Sequence, residues 1–178
     1  MQCIPEVLRS ETGRSLGYDL YVYRSHLEVT RLPTTVREGF AYAATRRPAR
    51  AMPDRFARKW LQLRCSAYAH NRAFDEQVTS HWLRAIDVVA CPVTGLTLTH
   101  GELSDSDWSV CRLDPDADYA PGNLAVMSTR ARVARGRRSV DEVLQLAQRD
   151  TPIDGLLPAE WSRLATLLQR AGVGRSLS

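Results

Sequence analysis

Apolar residues recur at helical spacing in several parts of the chain, and each such stretch predicts an amphipathic helix. One helix begins near Pro53, a residue suited to a first turn, and its apolar residues follow at spacings of four, three and four. Others are predicted over residues 34–45, from about Asp75 to Val88 and from Pro158 onward. The apolar faces of the three longest are Phe56, Trp60, Leu63 and Ala67; Val78, Trp82, Ala85 and Ile86; and Trp161, Leu164, Leu167 and Leu168.

Shorter runs that contain β-branched and aromatic residues predict strands. One covers residues 18–23, where the sequence is Tyr-Asp-Leu-Tyr-Val-Tyr. Two more run from about Asp107 to Arg112 and from Gly122 to Met127, with an acidic turn between them. The last two predict a β-hairpin.

Helix-capping signals follow this hairpin directly. Ser128 or Thr129 is expected to begin a short helix that reaches Ala134 and ends at Gly136. Ser139 and the glutamate three residues later have the spacing of a capping box, so a further helix begins there. The order strand, strand, helix therefore predicts a small ββα element.

These patterns together predict an α+β fold that is mostly helical, with the ββα element flanked by helices. We expect three segments. Residues 1–90 form an N-terminal strand and a basic helical region, residues 91–148 form the ββα module, and residues 149–178 form a C-terminal helix and a frayed tail.

The distribution of charge is more informative than its total. The net charge is +4 and the isoelectric point is about 9.1. Six arginines and one lysine lie from Arg46 to Arg64 against one aspartate, and five arginines without an acid lie from Arg130 to Arg138. Between them, Glu102 to Asp118 carries five aspartates and one glutamate against one arginine. Basic clusters favour partners that carry phosphate.

The same sequence gives expectations about location. No apolar run approaches the length of a membrane span, and the N-terminus lacks the pattern of a signal peptide. The four cysteines are scattered and form no C-x-x-C pair, which favours reduced thiols. We expect a cytoplasmic protein without a membrane partner.

Three motifs in residues 91–148 resemble the His-Asn-His (HNH, ββα-metal) endonuclease family, in its phage-type branch. Cys91-Pro-Val-Thr-Gly95 reproduces a C-P-x-[CT]-G turn. Ser109-Val-Cys-Arg-Leu-Asp-Pro115 departs at one position from S-x-D-R-[IL]-D-P, and Asp118-Tyr-Ala-Pro-Gly-Asn-Leu124 departs at one from G-Y-x-P-x-N-[LV]. The resemblance covers about a third of the chain and implies a β-hairpin followed by a helix around one metal ion.

The residues at the implied metal positions do not suit a metal. The family's ligand on the first strand is an aspartate, and Cys111 stands there. Arg112 follows where the family often has its histidine base, and Arg132 stands where the helix carries its histidine or asparagine ligand. A thiol is a poor ligand for Mg²⁺, and a guanidinium can act neither as a ligand nor as a base near neutral pH. We therefore expect neither a metal nor another cofactor.

The remaining motif residues are expected to be structural: Cys91, Asp114, Tyr119 and Asn123. Asn123 matches the family's middle asparagine, whose role is to hold the loop between the strands. Cys91, His100 and Cys111 could supply three zinc ligands, but they lack the close pair that zinc sites usually contain, so an empty site is favoured.

The favoured hypothesis is a non-catalytic nucleic-acid-binding protein built on a degenerate HNH core, contacting phosphates of DNA or RNA. A protein of this kind could act alone or as a subunit of a larger nucleoprotein assembly in phage defence or a mobile element. The predicted contact residues are Arg55, Arg58, Lys59, Arg112, Arg130, Arg132, Arg135, Arg137 and Arg138.

Two alternatives remain open. An active, metal-dependent nuclease could have a displaced site built from carboxylates near the hairpin: Asp105, Asp107, Asp114, Asp116 and Asp118. A protein–protein interaction module could instead use one of the four tryptophans (Trp60, Trp82, Trp108 or Trp161) as an anchor, although core packing is the favoured role of those on helical apolar faces.

Overall fold

The computed structural model describes residues 6–25, 28–48 and 52–173. The chain divides into two compact units, one formed by residues 1–85 with 118–120 and the other by residues 86–117 with 121–178. In the described ranges there are seven α-helices and one two-stranded sheet, so the predicted mostly helical α+β class is confirmed. None of the described helices has the length and apolar character that crossing a membrane requires.

Two closely packed helices begin the first unit, α1 (Glu6–Val22) and α2 (Thr34–Arg46). A Cβ atom on Gly17 would lie 1.9 Å from the Val36 carbonyl oxygen, so this contact requires a glycine. The strand predicted over residues 18–23 is wrong, because these residues lie in α1 and the turn after it. Leu16 and Leu20, four residues apart, are buried on one helix face, and this tertiary packing overrides the local β propensity.

The basic segment of the first unit folds as α3 (Arg55–Ala69). Asp54 caps it by accepting a hydrogen bond from the Ala57 backbone N–H at 2.8 Å. Of the predicted apolar face, Phe56, Leu63 and Ala67 are buried and Trp60 is partly buried. Pro53 therefore precedes the cap rather than occupying the first turn.

The helix after α3 is shorter than predicted: α4 covers Ser80–Ala85 instead of residues 75–88. At its start, the Asp75 carboxylate accepts from the Gln77 N–H at 2.8 Å, which holds a turn. Beyond its end, the Val89 carbonyl accepts from the Leu98 N–H at 2.8 Å.

The second unit contains an antiparallel hairpin of β1 (Trp108–Arg112) and β2 (Leu124–Ser128). Trp108 pairs with Ser128 and Arg112 with Leu124. The helix α5 (Thr129–Arg135) follows at once, capped by the Ser128 side chain and ended by Gly136 at φ +53°. The strand–strand–helix order predicted from the sequence is present.

Two further helices complete the second unit, α6 (Val140–Ala147) and α7 (Pro158–Val173). The predicted capping box is confirmed: the Ser139 side chain accepts from the Glu142 N–H, and the Glu142 carboxylate accepts from the Ser139 N–H. The core of this unit is made of fully buried side chains from β2, α5, α6 and α7, namely Met127, Ala131, Val143, Trp161 and Leu164.

Candidate nucleic-acid interface

The Cys91–Gly95 segment forms a tight turn whose sulfur atom organises its surroundings. The Cys91 Sγ accepts from the Thr94 N–H at 3.4 Å and from the Ser128 N–H at 3.2 Å. Burial alone would raise the pKa of the Cys91 thiol, but hydrogen bonds from Ser128 and Thr94 outweigh burial and lower the pKa below its usual value. The thiol thereby ties this turn to the end of β2.

Asn123 holds the acidic turn between the two strands. Its Oδ1 accepts from the Asp114 N–H at 2.7 Å, and its Nδ2 donates to the Asp114 carbonyl at 3.0 Å. The Asp114 carboxylate in turn accepts from the Asp116 N–H at 2.8 Å. Both side chains therefore serve the backbone of the turn, in the structural role that the sequence assigns to them.

Tyr119 belongs to the first unit although it lies between the strands in sequence. Its ring stacks on Phe74 with 5.9 Å between centroids, and its hydroxyl lies 2.9 Å from the Ser66 Oγ. Beside it, the Asp118 carboxylate accepts from the Ala73 N–H at 3.0 Å. Neither residue belongs to the unit that contains the hairpin. No feature of the sequence indicated this assignment.

The residues at the implied metal positions interact with one another. Burial raises the pKa of the Cys111 thiol to about 11, and the positive charges of Arg135 and Arg132 offset part of that rise. The thiol is therefore protonated at neutral pH and lies in the field of two guanidinium groups. This arrangement opposes a hard divalent cation, which requires negatively charged or neutral oxygen ligands.

The Asp107 carboxylate, just before β1, already accepts hydrogen bonds from neighbouring residues. The Asp107 carboxylate accepts from the Thr99 hydroxyl at 2.6 Å and from the Leu103 N–H at 2.8 Å, and the Thr99 hydrogen bond is the main cause of its lowered pKa. His100 is exposed, with its ring 5.9 Å from that of Trp108. Across the described ranges, no group of three or more histidine, cysteine, aspartate or glutamate side chains could hold a metal ion.

The five arginines from Arg130 to Arg138 divide into two kinds. Three have structural partners. Arg130 pairs with the buried Glu160, Arg135 donates to the Leu113 and Gly136 carbonyls, and Arg138 donates to the Ala134 carbonyl and to Asp154.

The other two, Arg132 and Arg137, have exposed side chains. Arg135 is only 5% exposed, which argues against its predicted role as a direct phosphate contact. Arg112, also predicted to contact phosphate, is partly buried and donates to the Ala117 carbonyl at 2.9 Å. The exposed basic surface is thus smaller than the sequence cluster.

The predicted contacts on α3 lie in the first unit. Arg55 is exposed and stacks over the Phe56 ring at 4.6 Å from its centroid. Arg58 is exposed and donates to the Pro53 carbonyl at 3.1 Å, and Lys59 donates to Gln62 at 2.8 Å. These side chains form a separate basic surface on their own unit.

Tryptophan side chains provide no exposed anchor in the second unit. Trp161 is completely buried and Trp108 is 8% exposed. In the first unit, the partly buried Trp60 donates from its Nε1 to the Val78 carbonyl at 2.8 Å, and Trp82 is also partly buried.

Comparison with protein-family models, with curated proteins and with solved structures gives no match to this chain. The resemblance to the HNH family therefore depends on the three motifs and remains a prediction.

Proposed function

We propose that this protein binds DNA or RNA through the phosphate backbone and does not cleave it. The observation that carries the proposal is that the buried Cys111 thiol lies in the electrostatic field of Arg132 and Arg135, with Cys111 and Arg132 standing at two positions where the resemblance implies a metal ligand. Positive charge at this place suits a phosphate and opposes the ion that hydrolysis would need.

Two exposed arginines supply the contacts in this proposal, Arg132 on α5 and Arg137 in the turn after it. Arg135, which donates to two backbone carbonyls, adds positive potential beside them without needing to touch the ligand. Contacts of this kind reach the backbone rather than the base edges, so they give affinity without sequence preference.

The alternative of a displaced nuclease site finds little support. Asp107 and Asp114 accept hydrogen bonds from the turns in which they lie. Asp118 belongs to the first unit, away from the unit of the other candidate carboxylates. A metal at any of them would have to compete with these existing hydrogen bonds.

A fluorescence-anisotropy titration tests the proposal. Single- and double-stranded DNA and RNA are titrated at two salt concentrations with Mg²⁺ present, and each probe is checked on a gel afterwards. We expect binding that weakens steeply with salt, to a probe that stays intact. A shortened probe would contradict the loss of the metal site, and the absence of binding to every probe would move the function to a protein partner.

A matched pair of variants locates the surface. The double variant Arg132→Glu and Arg137→Glu should weaken binding to all probes alike and reduce the slope of log affinity against log salt by about two. The double variant Arg149→Glu and Arg170→Glu makes the same change in net charge at two exposed arginines outside this cluster and should have a much smaller effect. Equal effects of the two changes would mean that only net charge matters.

A further inference from the structure

A cavity of about 490 Å³ in the second unit joins the acidic turn to the end of α5. Its charged lining consists of two aspartates and three arginines: Asp114, Asp116, Arg135, Arg137 and Arg138. Ser139 and apolar side chains, among them Val140 and Leu168, complete the wall near α6. The volume exceeds that of a phosphate group and leaves room for an attached sugar.

Two of the three arginines in the cavity wall are fixed by the fold. Arg135 donates to the Leu113 and Gly136 carbonyls, while its Nε–H is buried and has no acceptor among the described residues. Arg138 donates to the Ala134 carbonyl and, at 2.6 Å, to the Asp154 carboxylate, and its guanidinium lies over the Trp161 ring, 5.6 Å from the centroid. Their charges are therefore held in place before any ligand arrives, which lowers the entropic cost of binding an anion.

Ser139, at the N-terminus of α6, lines this cavity and belongs to the capping box. The Ser139 N–H donates to the Glu142 carboxylate at 2.7 Å, and the Ser139 hydroxyl accepts from the Glu142 N–H at 3.2 Å. The charged donors that an anion in the cavity would meet are the arginine side chains.

Arg137 is the exposed member of the group, and the carboxylate of Asp116 lies beside it. Its side chain is 81% exposed, and its Nη2 lies 3.6 Å from an Oδ1 of Asp116, which is 72% exposed. Exposed ion pairs of this length are weak. A phosphate oxygen can accept two short hydrogen bonds from one guanidinium and would displace the aspartate.

We propose that this cavity is a phosphate subsite and that Asp116 occupies its mouth as a competing anion. The inference rests on the proposed function in taking the phosphate from a nucleic-acid backbone. Arg137 binds the phosphate, Arg135 supplies fixed positive charge beside it, and Asp116 sets how tightly the site binds. The same chemistry would accept a free phosphate, so the test has two arms.

In the first arm, nucleic-acid affinity is measured by anisotropy for the wild type, Asp116→Asn, Arg137→Ala and the matched control Asp105→Asn. Asp105 is also exposed and acidic, so its variant changes net charge equally. We expect Asp116→Asn to tighten binding several-fold, Arg137→Ala to weaken it several-fold, and Asp105→Asn to change it little. Circular dichroism of each variant checks that the fold is intact.

In the second arm, inorganic phosphate is compared with chloride at equal ionic strength by the shift in thermal midpoint. We expect phosphate to stabilise Asp116→Asn more than the wild type, and Arg137→Ala least. This arm needs no nucleic acid and so tests the subsite directly.

The outcomes separate the two proposals. Nucleic-acid binding in which Asp116→Asn behaves like Asp105→Asn would overturn the subsite and leave the proposed function standing. Stabilisation by phosphate that depends on Asp116 and Arg137, without nucleic-acid binding by any variant, would keep the subsite and overturn the proposed function. No response in either arm would overturn both.

Discussion

The two arginine-rich segments of this protein look alike in sequence and differ in how the fold uses them. On α3 of the first unit, Arg64 alone is drawn inward: it pairs with Asp19, donates to Ser15 and lies over the Trp60 ring. Arg55 and Arg58 of the same helix stay exposed. Around α5 of the second unit, three of five arginines have structural partners.

The difference arises from what surrounds each helix. α3 is long and has one buried face, so most of its basic residues fall on the other face. α5 is short, and its arginines find acceptors close by, in the Leu113 carbonyl after β1 and in the Glu160 carboxylate of α7. Counting arginines in the sequence therefore overestimates the exposed basic surface around α5. For α3, which has one exposed face, the count is closer to the number of exposed basic side chains.

The sharpest test of this division compares a structural arginine with an exposed neighbour on the same helix. Arg135→Ala should cost about 2–4 kcal/mol of unfolding free energy, because the Leu113 carbonyl loses its partner and a buried side chain is removed. Arg132→Ala, at an exposed position, should change stability by less than about 0.5 kcal/mol. Urea unfolding followed by circular dichroism measures both, and equal losses would remove the distinction.

A second comparison makes the same test in the first unit. Arg64→Ala should cost about 2 kcal/mol, because it removes the guanidinium that pairs with the partly buried Asp19 and uncovers one face of Trp60. The matched change Arg55→Ala, at an exposed position on α3, should cost well under 1 kcal/mol. Neither variant should alter the hairpin unit. A larger loss for Arg55→Ala would mean that its contact with Phe56 is structural.

Alkaline pH tests the environment that Arg132 and Arg135 share with Cys111. The folded thiol has a pKa of about 11 against 9.0 for an ordinary cysteine. Between these values the unfolded chain has lost the proton while the folded chain keeps it, so stability falls as pH rises. The loss near pH 11 should be about 2 kcal/mol.

The control for this prediction is Cys111→Ala, which removes the thiol and should remove that part of the pH dependence. The unfolding free energy is plotted against pH for the wild type and for Cys111→Ala. The difference between the two plots isolates Cys111, because every other titrating group, including Cys91, is common to both proteins. Parallel curves from pH 8 to 11 would show that the thiol ionises as readily in the folded protein as in the unfolded one.

Short-range signals were enough to predict much of the second unit. Ser128, Gly136 and the Ser139 capping box located α5 and α6 closely, because caps act through hydrogen bonds between residues two to four apart. The two strands of the hairpin are predicted by the β-branched and aromatic residues within each of them, although residues 113–123 separate them in sequence. The identity of Asn123 as the residue that holds this turn also followed from its place in the motif.

Only the tertiary structure decided which side chains are available. It turned residues 18–23 into helix, because Leu16 and Leu20 bury their side chains in the core of the first unit. It placed Tyr119 in the first unit and Arg135 out of solvent, through partners distant in sequence. Local hydrogen bonds follow from neighbouring residues, whereas burial depends on segments that the sequence does not place side by side.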